Sequence, residues 1–148
     1  MKKTLCIISL LLCIPLSACS KDNSIGIIGG ADGPTSIIIS EKGEKAMYEQ
    51  ITAEYAKKIM DSGEDFVILD VREQDEYDAS HIPNAILIPY TQIDNKAEEI
   101  FPDKNKQILV YCRSGRRSKI AAESLAKLGY TNVKEFGGII DWPYEVEK

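Results

Sequence analysis

Two short, mostly apolar runs at residues 66–71 (FVILDV) and 107–111 (QILVY) restrict the fold of this chain more than any other feature. Neither run alternates apolar with polar residues, which is typical of strands buried on both faces of a parallel sheet. Segments with helical signals lie between and around these runs. We predict helices over 52–60, 73–77, 91–101 and 118–128, and further strands over 85–88 and 133–136. This alternation predicts an α/β fold in which helices cover both faces of a mainly parallel central sheet, giving three α/β/α layers.

The composition excludes several classes of protein. Charged residues make up 28% of the 148 positions and hydrophobic residues 44%, which argues against a wholly disordered chain. The formal net charge of −5 argues against a nucleic-acid partner recognised through bulk positive charge. The only long apolar run lies at the start of the chain, so a polytopic membrane protein is also excluded. The length allows one domain, which we place at residues 47–148.

The first residues have the features of a signal peptide. Lys2 and Lys3 precede an apolar run at residues 5–16, which is shorter than the roughly 20 residues needed to span a bilayer. Residues 16–19 (LSAC) resemble the lipobox of bacterial lipoproteins, in which the chain is cut before a cysteine that then receives a diacylglycerol. This resemblance implies a signal peptide at residues 1–18, a lipid on Cys19, and attachment to the outer face of a bacterial cell membrane. An uncleaved anchor or an ordinary secretory signal is the alternative.

Residues 19–46 form a predicted Gly-rich linker that carries the lipid at its first residue. Within it, residues 25–39 are similar to a segment of the membrane-embedded β subunits of sodium-pumping decarboxylases. The match is short, and the surrounding transporter helices are absent from this chain. Four glycines and a proline in this stretch disfavour regular structure, so we interpret it as a spacer. Docking of its apolar residues on the membrane, the domain or a partner stays open.

The predicted chemistry lies in the loop at residues 112–118 (CRSGRRS), between a buried strand and a helix. Of the four cysteines, two leave with the signal peptide and Cys19 carries the lipid, so Cys112 is left as a single thiol. A loop that enters a helix at the end of a parallel strand directs N–H groups at an anion. Together with three nearby arginines, this arrangement favours a thiolate, so we predict that Cys112 is a nucleophile of lowered pKa. A buried, inert thiol is the alternative.

The remaining residues of this loop are predicted to bind an anionic substrate, with Arg113 and Arg117 as the principal contacts. The loop residues assigned to this role are Arg113, Ser114, Gly115, Arg116, Arg117 and Ser118. Phosphatases with a cysteine nucleophile have five residues between that cysteine and a phosphate-binding arginine, whereas Arg117 lies one position closer to Cys112. The sixth position after Cys112 is Ser118, which disfavours phosphatase or arsenate reductase activity.

The loop resembles the active-site loop of rhodanese-like sulfurtransferases. Three further segments match that family in order: residues 69–73 (LDVRE), residues 80–85 (SHIPNA), and Gly137-Gly138 followed by Trp142. The resemblance spans residues 48–146 and implies a rhodanese-like fold. It also implies that the Cys112 thiolate takes sulfur from a donor such as thiosulfate and becomes a persulfide. A thiol, cyanide or a protein cysteine then removes the sulfur, and no cofactor is implied.

Other polar residues have supporting predictions. Asp70 and Arg72 are expected to hold each other or the loop backbone rather than to act in catalysis. The single histidine, His81, is expected to pack rather than to act as a base, and no metal site is expected. Ser80 and Asn84 occupy positions where the family usually has glycine, and asparagine tolerates a positive φ.

Two other functions are compatible with the same sequence. One is a non-catalytic persulfide carrier, which would hold sulfur for a partner protein but turn over poorly with small molecules. The other is a protein-interaction module tethered to the membrane. The sequence does not distinguish these alternatives from a sulfurtransferase. The choice of sulfur acceptor depends on the side chains around the mouth of the pocket, and a single sequence does not place those side chains.

Overall fold

The computed structural model describes residues 36–38 and 48–148. The predicted signal peptide, Cys19 and the remainder of the predicted linker lie outside the described residues. Within the described ranges, no helix combines the length and apolar character needed to cross a bilayer.

A six-stranded sheet forms the centre of the domain. Its strands are β1 (Ser36–Ile38), β2 (Tyr48–Gln50), β3 (Phe66–Asp70), β4 (Ala85–Leu87), β5 (Gln107–Cys112) and β6 (Val133–Gly138). They are ordered β1-β2-β6-β5-β3-β4, and every neighbouring pair is parallel except β1 with β2. The predicted α/β fold with a mainly parallel sheet is confirmed. Strands β1 and β2 have three residues each, too few to give a periodic pattern in the sequence. Regular structure is disfavoured by the sequence over residues 25–39, and for Ser36–Ile38 that prediction is wrong, because these residues pair antiparallel with β2.

Within residues 48–148, four α-helices connect the strands, and local signals set where they begin and end. They are α1 (Ala53–Asp61), α2 (Gln74–Ala79), α3 (Ile93–Ile100) and α4 (Arg116–Lys127), with 3₁₀ turns at Tyr90–Gln92 and Ile139–Asp141. The Thr52 hydroxyl accepts the Tyr55 N–H at the start of α1, and Glu73 with Glu76 forms a capping box at the start of α2. Helix α4 begins two residues earlier than predicted, since Gly115 takes a left-handed conformation as its N-cap.

The helices cover both faces of the sheet, so two hydrophobic cores form. Side chains alternate along β5, where Val110 and Cys112 face the α3 and α4 layer while Leu109 and Tyr111 face the opposite layer. The first core is closed by small and branched residues of α3 and α4, and the second by α1 together with Trp142. This alternation places the Cys112 thiol at the carboxyl end of β5, on the α4 side of the sheet.

Candidate active site

Cys112 lies at the end of β5, directly before the loop that enters α4, and is only 1% exposed. Its Sγ accepts the backbone N–H of Gly115 at 3.1 Å and lies 3.5 Å from Ser118 Oγ. Burial raises the pKa of the Cys112 thiol, but the hydrogen bond between the thiol and the Ser118 hydroxyl, together with those from the N–H groups of Ser118, Ser114 and Gly115, outweighs that effect. The resulting pKa lies below the ordinary thiol value, which favours the nucleophilic thiolate.

Glycines allow the loop to pack directly against the end of β6. Gly115 has a φ of +91°, a conformation that side chains rarely adopt. A Cβ on Gly138 would lie 2.2 Å from the carbonyl oxygen of Arg113, so only glycine permits this approach of the two backbones. The same Arg113 carbonyl accepts the Ile140 N–H at 3.2 Å. The Gly137-Gly138 pair found in the sequence therefore holds the shape of the Cys112 loop.

The three arginines of the loop have different surroundings. Arg117 donates two hydrogen bonds to Glu76 of α2, with Nη1–Oε2 at 2.6 Å and Nη2–Oε1 at 2.8 Å. This bidentate pair lowers the pKa of Glu76 to about 2, against the opposing effect of burial. Arg113 and Arg116 are exposed, and neither has a carboxylate within 4.0 Å among residues 48–148. Arg117 is predicted to contact an anionic substrate, and this stays a prediction. In the structure its guanidinium binds the carboxylate of Glu76.

A buried carboxylate that the sequence analysis missed lies beneath the loop. Glu135 of β6 is 2% exposed, and its Oε1 accepts the Ser118 hydroxyl at 2.7 Å and the Gly137 N–H at 2.9 Å. Its Oε2 accepts a hydrogen bond from Gln50 Nε2 at 3.0 Å. The sequence contained one signal that Glu135 would be buried. It lies two residues after the apolar Val133 in the same strand, and side chains two residues apart point to the same face of a sheet.

Asp70 and Arg72 hold each other, which is one of the two arrangements predicted for them. Both are buried, with Arg72 Nη2 at 2.7 Å from Asp70 Oδ2 and the Arg72 backbone N–H donating to Asp70 Oδ1 at 3.0 Å. Arg72 Nη2 also donates to the Ser80 carbonyl at 2.7 Å. The pair therefore anchors the segment before β4, and among the described residues no hydrogen bond joins its side chains to the Cys112 loop.

The segment before β4 accommodates the two residues that replace glycine. Asn84 has a φ of +64°, so the predicted tolerance of asparagine at this turn is confirmed. Ser80 is extended, with a φ of −171°, a conformation that any residue adopts. His81 stacks on the Tyr77 ring with the centroids 3.8 Å apart, and its Nδ1 lies 3.0 Å from the Tyr77 carbonyl oxygen. These contacts fit the packing role predicted for His81.

Known proteins are similar to the part of the chain that carries this site. The family model described as Rhodanese-like domain matches residues 52–143. Thiosulfate sulfurtransferase PspE of Escherichia coli is 40% identical over 73 residues, which cover 49% of this chain and 70% of that protein. The putative sulfur carrier protein YrkF of Bacillus subtilis is 38% identical over 99 residues, covering 66% of this chain and 52% of that protein. The chain thus spans about half the length of this second relative.

Solved structures of other proteins are also similar to this chain. A structure titled rhodanese with anions from E. coli is 36% identical, with a TM-score of 0.53, and the match covers 55% of this chain and 96% of that chain. A thiosulfate sulfurtransferase from Pseudomonas aeruginosa is 30% identical, with a TM-score of 0.61, and the match covers 66% of this chain but 20% of that one.

Proposed function

Because the chain belongs to the rhodanese-like domain family, we propose that it transfers sulfane sulfur from thiosulfate, or a similar anionic donor, through a persulfide on Cys112. Relatives named as thiosulfate sulfurtransferases support transfer, and a relative named as a putative sulfur carrier supports rhodanese-type sulfur chemistry in general. The observation that carries the proposal is the geometry of the thiol. Cys112 Sγ receives the Gly115 N–H at 3.1 Å at the start of α4, in a loop with two exposed arginines.

Each step of the cycle uses groups of this loop. The Cys112 thiolate attacks the outer sulfur of thiosulfate, a new S–S bond forms, and the donor's own S–S bond breaks to release sulfite. The persulfide carries its negative charge into the loop, where the backbone N–H groups that point at Sγ can donate to it. Arg113 and Arg116, the exposed arginines of the same loop, supply positive charge that attracts the dianionic donor. Attack by cyanide, a small thiol or a protein cysteine on the outer sulfur then restores the thiolate.

We further propose that the domain acts on the outer face of a bacterial membrane, attached through a lipid on Cys19. Support comes from Lys2, Lys3, the apolar run and the LSAC sequence before and at that cysteine. Metabolic labelling with a radioactive fatty acid tests this proposal. Label retained in the chain and lost in Cys19→Ser supports lipidation, and equal labelling of both overturns it.

A persulfide carrier is the second candidate, and the similarity to the putative sulfur carrier of Bacillus subtilis is the observation in its favour. A carrier would accept sulfur on Cys112 but release it only to a partner protein. A membrane-tethered interaction module, the third candidate, would accept no sulfur.

Intact-mass measurement of the chain before and after thiosulfate, with cyanide added last, tests these candidates. A gain of one sulfur, about 32 Da, that cyanide removes and that Cys112→Ser lacks would establish the persulfide cycle. A gain that cyanide removes only over many hours favours the carrier. No gain from thiosulfate or other sulfane donors, with the Cys112 thiol shown to be reduced, would refute both sulfur-handling functions.

A further inference from the structure

The carboxylate of Glu135 lies one hydrogen bond away from the hydroxyl that contacts the catalytic sulfur. Among the described residues no cation pairs with it, and its oxygens accept hydrogen bonds only from neutral groups: Ser118 Oγ, the Gly137 N–H and Gln50 Nε2. Keeping a buried carboxylate without a cationic partner is energetically costly. The packing of a sheet strand does not require such a residue, because an apolar side chain would fill the same position.

The Ser118 hydroxyl has one proton and several acceptors within reach, which include the carbonyl oxygens of Gly115 at 3.0 Å and Gly137 at 3.3 Å, and the charged carboxylate is the nearest of them. Glu135 Oε1 lies at 2.7 Å and Cys112 Sγ at 3.5 Å, so the hydroxyl donates to the carboxylate while the carboxylate is charged. An Oγ lone pair then remains to accept the thiol proton of Cys112. The three groups form one chain of donors and acceptors that runs from Sγ–H through Oγ–H to Oε1.

We propose that Glu135 is a positioning residue that acts through Ser118, taking up a proton when Cys112 ionises. The inference rests on the proposed function of Cys112 as the sulfur nucleophile. In the step, the S–H bond of Cys112 breaks as its proton passes to Ser118 Oγ, and the former hydroxyl proton passes to Glu135 Oε1. The products are a thiolate, a hydroxyl that now donates to that thiolate, and a neutral carboxyl group. No electrons leave the cluster, and no other reactant is needed.

The physical advantage of this arrangement is that the buried charge does not increase. Before the step the carboxylate carries one negative charge, and afterwards the thiolate carries it, so ionisation adds no charge to the interior.

Other ionisable groups around the cluster are Tyr48 of β2, Glu123 and Arg117 of α4. The pKa of Tyr48 is raised to about 12, first by burial and then by Glu123 and Glu135, so this phenol stays neutral and adds no charge beside the cluster. Arg117 is held by Glu76.

The dependence of Cys112 alkylation on pH tests the proposal, with iodoacetamide as the probe. In the native chain the rate should rise through two inflections separated by a plateau, because a constant fraction of thiolate exists while the pair shares one proton. Glu135→Gln, which keeps the shape but cannot take the proton, should give one inflection. Ser118→Ala should give one inflection at higher pH and at least about tenfold slower alkylation in the plateau range. Glu123→Gln, an exposed control with the same charge change, should keep both inflections.

Infrared difference spectroscopy gives a second readout, which is decided on the native chain and uses Glu135→Gln only as a control. Alkylation of Cys112 removes the thiolate, so the C=O band of a protonated carboxyl should disappear from the native chain, and Glu135→Gln should show no such change. A single inflection in the native chain, or the absence of that band, would overturn the relay. Because iodoacetamide needs no sulfur donor, this result is separate from the thiosulfate test. A chain that gains no sulfur refutes the proposed function and leaves these two measurements intact.

Discussion

Replacement of Glu76 by glutamine tests how strongly the ion pair beside the Cys112 loop stabilises the domain. The side chains of Glu76 and Arg117 are 22% and 18% exposed, and two hydrogen bonds join them. The pKa of Glu76 falls from an ordinary 4.5 to about 2, chiefly through the hydrogen bonds from Arg117. That difference corresponds to roughly 3 kcal/mol at most, and screening by solvent at these partly exposed groups reduces it to about 2 kcal/mol. We expect Glu76→Gln to lower the free energy of unfolding at pH 7 by about that amount.

The sign of the pH dependence follows from the direction of the shift. The folded-state pKa of Glu76 lies below its unfolded value, so the stabilisation is complete above pH 4.5 and is lost as the pH falls from there through about 2. A protonated Glu76 and a glutamine are both neutral, so the native chain and the variant should converge in stability over this range.

Urea unfolding of both chains at pH 7, 5, 4 and 3, followed by far-ultraviolet circular dichroism, measures this difference. Glu54→Gln is the matched control, since Glu54 and Lys58 are 4.0 Å apart with side chains 73% and 70% exposed. Its effect should stay below about 0.5 kcal/mol. A difference for Glu76→Gln that is equally small, or that stays constant from pH 7 to pH 3, would refute the reasoning.

Three further substitutions test other contacts. Gly138→Ala places a Cβ 2.2 Å from the Arg113 carbonyl oxygen, so the rate of sulfur loading should fall at least about tenfold in stopped-flow measurements; an unchanged rate would contradict the packing argument. Asp70→Asn leaves the buried Arg72 without its charge partner and should lower stability in urea by roughly 3–5 kcal/mol, whereas a loss near zero would show that the pair is not needed. Thr52→Ala removes the hydroxyl that caps α1 and should lower the unfolding free energy by about 1 kcal/mol; a melting temperature equal to that of the native chain would speak against the cap.

Local signals in the sequence determined the strands and helices and singled out Cys112 as the candidate nucleophile. The apolar runs at 66–71 and 107–111 became β3 and β5, because strands buried on both faces need apolar side chains in succession. Thr52 began α1, and Gly129, with a φ of +93°, lies just past the end of α4. Cys112 could be identified because a thiol, arginines and a glycine between a strand and a helix are all neighbours in the chain. These features depend on interactions within a few residues, and a sequence displays such interactions directly.

The tertiary structure decided which groups surround the thiol. Arg117 and Glu76 are 41 positions apart in the sequence, and Ser118 and Glu135 are 17 apart. Neither pair can be recognised from the residues next to it in the chain. The close contact of Gly138 with Arg113 likewise depends on β6 lying beside β5. Such contacts are fixed by the order in which the strands join the sheet and by the faces that the helices cover. The sequence therefore determined that Cys112 lies in a loop between a buried strand and a helix, and only the packed sheet determined which arginine binds a carboxylate and which carboxylate shares a hydroxyl with the sulfur.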